Sequence, residues 1–414
     1  MAGVRNSRAA ANPFQSTRAS RRAGRSQHLL TKAVIETLEK RTLLSGYVVT
    51  STADDGSSGT LRWAIQQANT AGGNQTITFA SSLTSSAPAT IDLNGSPLEI
   101  SGNITINGPG QNLLAIDGGG KSNIFTVDSG STAEIENLTV KDGYIDGYGG
   151  GIINMGDLTV SDSTITQNLA SDSGGGLYAE SGTLTIDHST ISDNGTVSTS
   201  ASYNSGGGIY SLAATAVIIT DSIISGNAAH NGGGVYSHGT LAVNDSMISG
   251  NSAYDGGGLS ISGQTSIGEN SQISHNNGTV GGGIYTTSTN ATITDSTLIG
   301  NEADTGGAIY SSSPNFGANV SDLGKMTVSG TALEGNATYG KDAGQDFIYT
   351  GGGAICNVAG ATLTITNNST ISGNNSQGFP GAGIASYGST LNVTDSTITG
   401  NSQGSDGGGI YNSP

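Results

Sequence analysis

Leu158-Thr159-Val160-Ser161-Asp162-Ser163-Thr164-Ile165-Thr166-Gln167-Asn168, with Gly149-Gly150-Gly151-Ile152 ahead of it, is the stretch on which the fold turns. Apolar residues alternate with Thr and Ser at period 2, the pattern of half-buried β structure. The unit apolar-x-apolar-x-x-Ser-x-apolar-x-x-Asn returns at Leu184 to Asn194, Val217 to Asn227, Leu241 to Asn251 and Leu391 to Asn401. Variants end at Asn276, Asn301, Asn336 and Asn374; Ile267 to Ile273 and Ile365 to Ile371 carry one extra residue between the inward apolar positions. The aliphatic residue closing each glycine cluster stands at 152, 177, 209, 235, 259, 284, 309, 355, 384 and 410. Successive differences are 25, 32, 26, 24, 25, 25, 46, 29 and 26, so the period is about 25. The interval of 46 holds a single unit, Met326 to Asn336, and reads as one repeat with a loop of roughly twenty residues (46 − 25 = 21) around Pro314.

Each repeat reads as three short strands, too short to form an independent sheet and without helical periodicity. Asn-Gly hairpins do not occur at the regular sites that a meander needs. The economical solution makes each repeat one coil of a solenoid, with like strands stacked in parallel about 4.8 Å apart. The expected fold is therefore all-β, a single-stranded right-handed parallel β-helix of about 25 residues per coil. Its hand is the usual one for parallel connections.

The repeated residues then acquire roles. Ile165, Ile191, Ile224, Ile248, Leu298, Leu333, Ile371 and Ile398 stack as an aliphatic ladder inside. Asn168, Asn194, Asn227, Asn251, Asn276, Asn301, Asn336, Asn374 and Asn401 mark a tight corner. There Asn takes left-handed angles and its stacked amides bond from coil to coil. The glycines let the backbone turn with positive φ or pack closely at the opposite corner. They are no phosphate loop, since no Lys-Ser/Thr follows, and they do not match the nine-residue calcium repeat.

Residues 46–145 lead into the regular array. Thr60 is placed to N-cap a short helix carrying Leu61, Ile65 and Ala68 on one face, which would close the open end of the solenoid. The expected division is a basic, disordered targeting segment at 1–45, a cap with first coils at 46–130, and regular coils at 131–414. The last coil stops one strand in, at Gly409-Ile410-Tyr411-Asn412-Ser413-Pro414, and reads as a truncated product or as a coil completed by a partner.

Composition agrees with a folded solenoid. Of 414 residues 67 are Gly, only 11% are charged, seven are Pro and one is Cys. Seven prolines exclude collagen, and one cysteine excludes a disulfide framework or cysteine zinc cluster. No apolar run of about 18 residues offers a transmembrane helix. The net charge of −17 divides unevenly. Residues 1–45 carry nine Lys/Arg against Glu36 and Glu39, which is 9 − 2 = +7; the remainder carries 5 − 29 = −24. A basic head without aromatic interleaving, ahead of an acidic body, points to targeting and excludes a nucleic-acid partner.

Within that head Val34-Ile35-Glu36-Thr37-Leu38-Glu39-Lys40-Arg41-Thr42-Leu43-Leu44-Ser45 resembles the N-terminal signature of planctomycete surface and secreted proteins. The paired Gly-Gly-Ala/Gly-aliphatic and aliphatic-x-x-Asn tetrapeptides resemble the repeats of the chlamydial polymorphic outer membrane proteins, although Ile or Leu here replaces their usual Phe. Gly59-Thr60-Leu61-Arg62-Trp63-Ala64-Ile65 is similar to the Cys-Ser-Leu-Arg-Glu-Ala-type leader of bacterial β-helix surface proteins, with Gly59 and Trp63 in place of its Cys and Glu. These resemblances imply a protein that is secreted or held at the cell surface or outer membrane, some members being adhesins. The autotransporter barrel of the chlamydial group is absent from this sequence.

The same fold resembles that of pectate lyases and polygalacturonases, so polysaccharide cleavage is the rival reading. A lyase needs a base beside a bound carboxylate, commonly with Ca²⁺ held by acids. No Arg follows Arg62, and from 142 onward the only cations are Lys325 and Lys341, in or near the long repeat. Asp162, Asp187, Asp221, Asp245, Asp295 and Asp395 recur coil by coil, as turn residues do, and a glycosidase needs one spaced pair of acids. His188, His230, His238 and His275 have no metal-ligand spacing. No catalytic residue and no metal site are assigned, and Ca²⁺ is a cofactor only under the lyase reading.

Tyr178, Tyr210, Tyr236, Tyr285, Tyr310 and Tyr411 each follow the aliphatic residue of a glycine cluster, and alternation puts all six on one outer face. They either stack on sugar rings or on one another as a cross-strand ladder. Cys356 holds the equivalent place as a lone thiol. The expectation is an exported, non-catalytic surface β-helix with an adhesion or envelope role and glycan contact through these tyrosines. Its partner would be a polysaccharide or the surface of a host or neighbouring cell.

Overall fold

Every strand pairing in the computed structural model is parallel, and each joins residues one coil apart. The structure describes residues 46–197, 204–313, 323–340, 350–403 and 405–414; the expected targeting segment lies outside them. Three sheets run the length of the array. The first has thirteen strands, from Gly46–Val49 to Thr390–Val393; the second has twelve, from Ala89–Asp92 to Thr397–Thr399; the third has twelve, from Leu98–Ile100 to Ile410–Ser413. The chain is a right-handed parallel β-solenoid. Stacking is unbroken across residue 130, where Thr132–Glu136 pairs with Asn103–Asn107.

Inward residues of the three sheets meet on the axis. Ile165 is in register with Ile191, Ile191 with Ile224, Ile224 with Ile248 and Ile248 with Ile273, all buried. At the start, helix α1 (Leu61–Ala71) is N-capped by Thr60, whose Oγ1 accepts from the Trp63 backbone N–H at 3.3 Å. Its Leu61, Ala64, Ile65 and Ala68 join the solenoid core. Arg62 on the other side donates to both Asp54 carboxylate oxygens at 2.8 Å and to the Pro97 and Ser96 carbonyls. This arginine of the leader motif therefore clips the cap to the first coil.

Two side-chain ladders turn the corners. Between the first and second sheets a serine Oγ accepts from the backbone N–H one coil back, Ser163 N–H to Ser189 at 3.1 Å and Ser189 N–H to Ser222 at 3.0 Å. The left-handed residue at this corner is an Asp in five coils, Asp162, Asp221, Asp245, Asp295 and Asp395. After the second sheet comes the asparagine ladder. Asn194 Nδ2 donates to Asn227 Oδ1 at 3.1 Å and to the Ile165 carbonyl at 2.9 Å, while Asn194 Oδ1 accepts from Asn168 through both its backbone N–H and its amide. All four hydrogen-bonding positions are used, and the pattern continues to Asn401.

Two expectations about this corner need correction. The asparagines are not the left-handed residues: the residue before each one is, as at Gln167, Asp193, Gly226, Gly250 and His275. The Asn is recruited for its amide, and the neighbouring Gly or polar residue makes the turn. Nor do the glycines stand at an opposite corner. A Cβ on Gly176, Gly234 or Gly258 would lie 3.1–3.2 Å from the Asn194, Asn251 or Asn276 amide, so glycine cluster and ladder pack on each other. The first glycine of each cluster has φ between 57° and 76° in every coil, from Gly149 to Gly407, and none of the ten is replaced. The next two positions admit Ala382, Ala308 and Ala354.

The long repeat is one coil, as expected, but its extra length is divided. Ile309 to Met326 spans 17 residues against 7 for Ile284 to Ala291; Asn336 to Ile355 spans 19 against 8 for Asn301 to Ile309. The two insertions, 10 and 11 residues, flank the third sheet instead of forming one loop around Pro314, and their residues 314–322 and 341–349 lie outside the described part.

Candidate functional site

The outer side of the third sheet carries the predicted tyrosines in one column: Tyr178, Tyr210, Tyr236, Ser260, Tyr285, Tyr310, Cys356, Ala385 and Tyr411 are successive partners in register. The column is broken at Ser260 and again at Cys356. Tyr178, Tyr210 and Tyr236 stack with centroids 5.4 and 5.2 Å apart and planes within 8°; Tyr285 and Tyr310 form a second stack at 5.6 Å. Tyr148, which alternation did not reveal because it precedes the glycine cluster, leans on Tyr178 at 4.8 Å and is 48% exposed. Tyr411 tilts against Tyr387 instead. Within each stack the ring faces cover one another, so edges and hydroxyls are what the column offers to solvent. Burial pushes the phenols of Tyr178, Tyr236 and Tyr285 up to about 12, keeping them protonated hydrogen-bond donors at neutral pH.

Polar groups gather around the break at Ser260. The Tyr236 hydroxyl is 3.0 Å from His238 Nε2, and His238 Nδ1 is 2.6 Å from Ser262 Oγ in the next coil. Period 2 puts His238 on the same face as Tyr236, two residues on. Partial burial holds this imidazole below its usual pKa. A neutral ring carries a single N–H, so one nitrogen donates and the other accepts along the chain from phenol to serine.

Asp255 lies on the other side of the column. It belongs to a row just before the glycine clusters, in which Ser205, Asn231, Asp255, Val280 and Thr305 are bridged in register. Gly256, with φ 66°, lies so close to the backbone of Leu259 and Ser260 that a Cβ there would strike it. Among the described residues its carboxylate accepts no hydrogen bond, and burial pushes it up to about 6 against a weaker pull from His230. His230 stacks on Tyr254 at 5.1 Å beside it. Sequence reasoning missed this cluster, because Asp255 stands before its glycine cluster as Asp406 does before Gly407, and no repeat singles it out.

Other groupings are less developed. Lys141 donates to Asp117 and to Asp142, the latter at 2.7 Å, beside an open groove of about 620 Å³ that reaches Tyr144 and Gln167. Both hydrogen bonds raise the lysine above its usual pKa, so it stays an ammonium and offers no base. Lys325 is exposed at the start of a first-sheet strand, and Lys341 lies outside the described residues. The groove of about 460 Å³ nearest the long repeat is lined by Glu302, Asp304 and Tyr339 with no described cation. His188 lies 3.0 Å from Asp187 and 3.8 Å from Asp221; these three could offer ligand atoms to a metal, but the contact with Asp187 already holds the ring toward its protonated form. Cys356 is fully buried with Val358 and Ala385, and burial pushes its thiol up to about 12, which removes thiolate reactivity. No helix among the described residues is long and apolar enough to cross a membrane.

No family model matches the chain, and no curated protein matches it. Among solved structures, the mannuronan C-5 epimerase AlgE4 A-module of Azotobacter vinelandii aligns over 85% of this chain and 97% of its own, at 15% identity and a TM-score of 0.43. The AlgE6 A-module of the same organism aligns over 89% and 99%, at 12% identity and a TM-score of 0.37. At these values the likeness is one of solenoid architecture alone.

Proposed function

We propose that the chain is an exported surface solenoid that contacts glycans with the outer face of its third sheet and does not cleave them. The observation that carries this reading is the column of partly buried tyrosines flanked by His238, Ser262 and Asp255. It is a rigid row of phenol edges and hydroxyls with directional polar groups at the coil spacing, able to give an extended sugar polymer repeated hydrogen bonds and edge contacts. The +7 head ahead of a −24 body supports export. A long, regular scaffold whose repeated face can meet an extended polymer at many points supports an adhesion or envelope role.

The decisive experiment is a glycan array probed with the wild-type chain and with a Tyr210→Ala, Tyr236→Ala, Tyr285→Ala triple variant. Binding that the triple variant loses supports the proposal; absence of binding, or binding unchanged in the variant, removes it. Lyase chemistry is less favoured, because the best-placed cation, Lys141, is locked between two carboxylates. Release of unsaturated products from polygalacturonate with Ca²⁺ would reverse that judgement.

A further inference from the structure

We infer that the groove beside Lys141 is a second glycan subsite, independent of the tyrosine column, which takes a neutral hexose chain by a pair of adjacent hydroxyls. This groove of about 620 Å³ has Asp117, Gly119, Gly120, Asp142, Tyr144 and Leu169 among its lining. Its volume falls within the range of about 300–1,000 Å³ that small-ligand sites occupy. It lies where the asparagine ladder begins. Asn168 is the first rung, and one coil earlier the place belongs to Gly143, whose backbone N–H donates to Asn168 Oδ1 at 2.8 Å. A Cβ on Gly120 would meet nothing within 4 Å, so backbone alone forms that part of the rim.

One part of the lining is charged. Asp117, Lys141 and Thr166 close successive second-sheet strands in register. Lys141 Nζ donates to Asp117 and, at 2.7 Å, to Asp142, while Asp117 Oδ1 accepts from the Gly119 backbone N–H at 2.8 Å. Two of the three ammonium hydrogens are thereby spent. The third, and the Oδ1 of Asp142, have no partner among the described residues, and the two side chains are 28% and 39% exposed. A charged donor thus stands beside a charged acceptor. Hydroxyls on neighbouring ring carbons can accept from the one and donate to the other, in hydrogen bonds stronger than neutral ones. The other part of the lining is apolar: Tyr144 and Leu169 are partners in register, and Leu169 is 37% exposed. The C–H face of a sugar ring can rest there. The next coils do not repeat this combination, since Thr166, Ser192 and Ser225 follow Lys141 in register and Gly195 follows Leu169.

Charge selects the ligand. Two carboxylates and one ammonium leave a net −1 at the wall (1 − 2), so a uronate is repelled there and by the −24 body. The ammonium of an amino sugar would meet Lys141 already seated between both acids. A neutral hexose brings the hydroxyls without either charge.

The test titrates four oligosaccharides of equal length calorimetrically: β-linked glucose, β-linked mannose, the fully O-methylated glucose oligomer and oligogalacturonate. The proteins are the wild type, Lys141→Met, Asp142→Asn, Lys325→Met and the Tyr210→Ala, Tyr236→Ala, Tyr285→Ala variant. Lys325→Met removes an exposed cation from the first sheet, and Asp142→Asn keeps the Lys141–Asp117 pair should Lys141→Met fail to fold. At least one neutral oligomer should bind the wild type and weaken about tenfold in Lys141→Met, the loss of one charge-assisted hydrogen bond. It should weaken severalfold in Asp142→Asn, stay unchanged in Lys325→Met, and be lost when the glucose oligomer is O-methylated. Loss in the groove variants supports the subsite whether or not the tyrosine variant also loses binding. Binding kept in both groove variants overturns the subsite, and if the tyrosine variant loses that binding, the column stands as the contact. Equal weakening in Lys325→Met, undiminished binding after O-methylation, or tighter binding of oligogalacturonate each overturns the hydroxyl pair. Binding of no neutral oligomer overturns it as well.

Discussion

Asn251→Ala should be among the most damaging single substitutions in the solenoid, and the structure sets its size. The Asn251 side chain donates to the Ile224 carbonyl at 2.9 Å and to Asn276 Oδ1 at 3.0 Å, and its own oxygen accepts from the Asn227 backbone N–H at 2.9 Å and from the Asn227 amide at 3.0 Å. Removing it strands the Asn227 backbone N–H and one hydrogen of its amide in the interior, where Asn227 is 0% exposed. Each buried donor left without an acceptor costs about 1–3 kcal/mol. The lost carboxamide also leaves a void beside Gly234, which packs on that amide. The sum is about 4 kcal/mol. Urea unfolding followed by far-ultraviolet circular dichroism should show a lower midpoint with an unchanged slope, or a second transition if the array divides at that coil. Hydrogen exchange at Asn227 should accelerate. Asn401→Ala, on the last rung and partly exposed, should cost only about 1 kcal/mol, because water replaces the lost partners. A loss below about 1 kcal/mol for Asn251→Ala, or equal losses at 251 and 401, would refute the claim that the ladder holds the corner.

Gly256→Ala should destabilise more than Gly258→Ala: Gly256 has φ 66° and a Cβ there would strike the Leu259 carbonyl, whereas the Gly258 position already carries alanine in the coils of Ala308 and Ala354. Parallel thermal melts check this, and equal midpoints would refute it. Asp255 is raised by burial from 3.8 to about 6, so the folded chain binds this proton more tightly than the unfolded one, and stability should fall as pH rises from about 4 to about 6. About two pKa units amount to about 3 kcal/mol, an upper bound that partial solvent contact halves, so Asp255→Asn should stabilise the fold by about 1–2 kcal/mol at neutral pH and flatten that slope. Melting curves across the interval test it, and a destabilised Asn variant contradicts it. Arg62→Lys should loosen the cap by about 2 kcal/mol, since an ammonium cannot reproduce the paired bonds to Asp54 together with the two carbonyl contacts. Faster exchange confined to α1 and the first coils is the expected signature.

Period and alternation were enough to read the coil, its three strands, the inward isoleucines and the Thr60-capped helix, because each depends on residues close together in sequence. What lay beyond reading depends on coil-to-coil register. The left-handed residue is Gln167 or Gly226 and not the Asn after it, because the amide needs an unstrained backbone aimed along the axis. The single loop expected around Pro314 overlooked that the unit Met326 to Asn336 already splits the extra length in two, as its pairing with the strands of the flanking coils shows. The tyrosine column was legible, but its closure by face-to-face stacking was not. The chain of contacts from Tyr236 through His238 to Ser262 spans adjacent coils, and His238 and Ser262 are not part of the repeat, so periodicity had no signal for it.

The asparagine ladder also has a polarity. Every amide oxygen from Asn194 to Asn401 points back to the preceding coil, and one amide hydrogen of each rung before the last points forward. Nine amide dipoles thus lie head to tail along the axis, each polarised by its neighbours in a dry corner. Such a line strengthens with length, so a break near its middle weakens both halves. Two substitutions on neighbouring rungs should therefore depart from additivity, whereas two on rungs far apart should approach it.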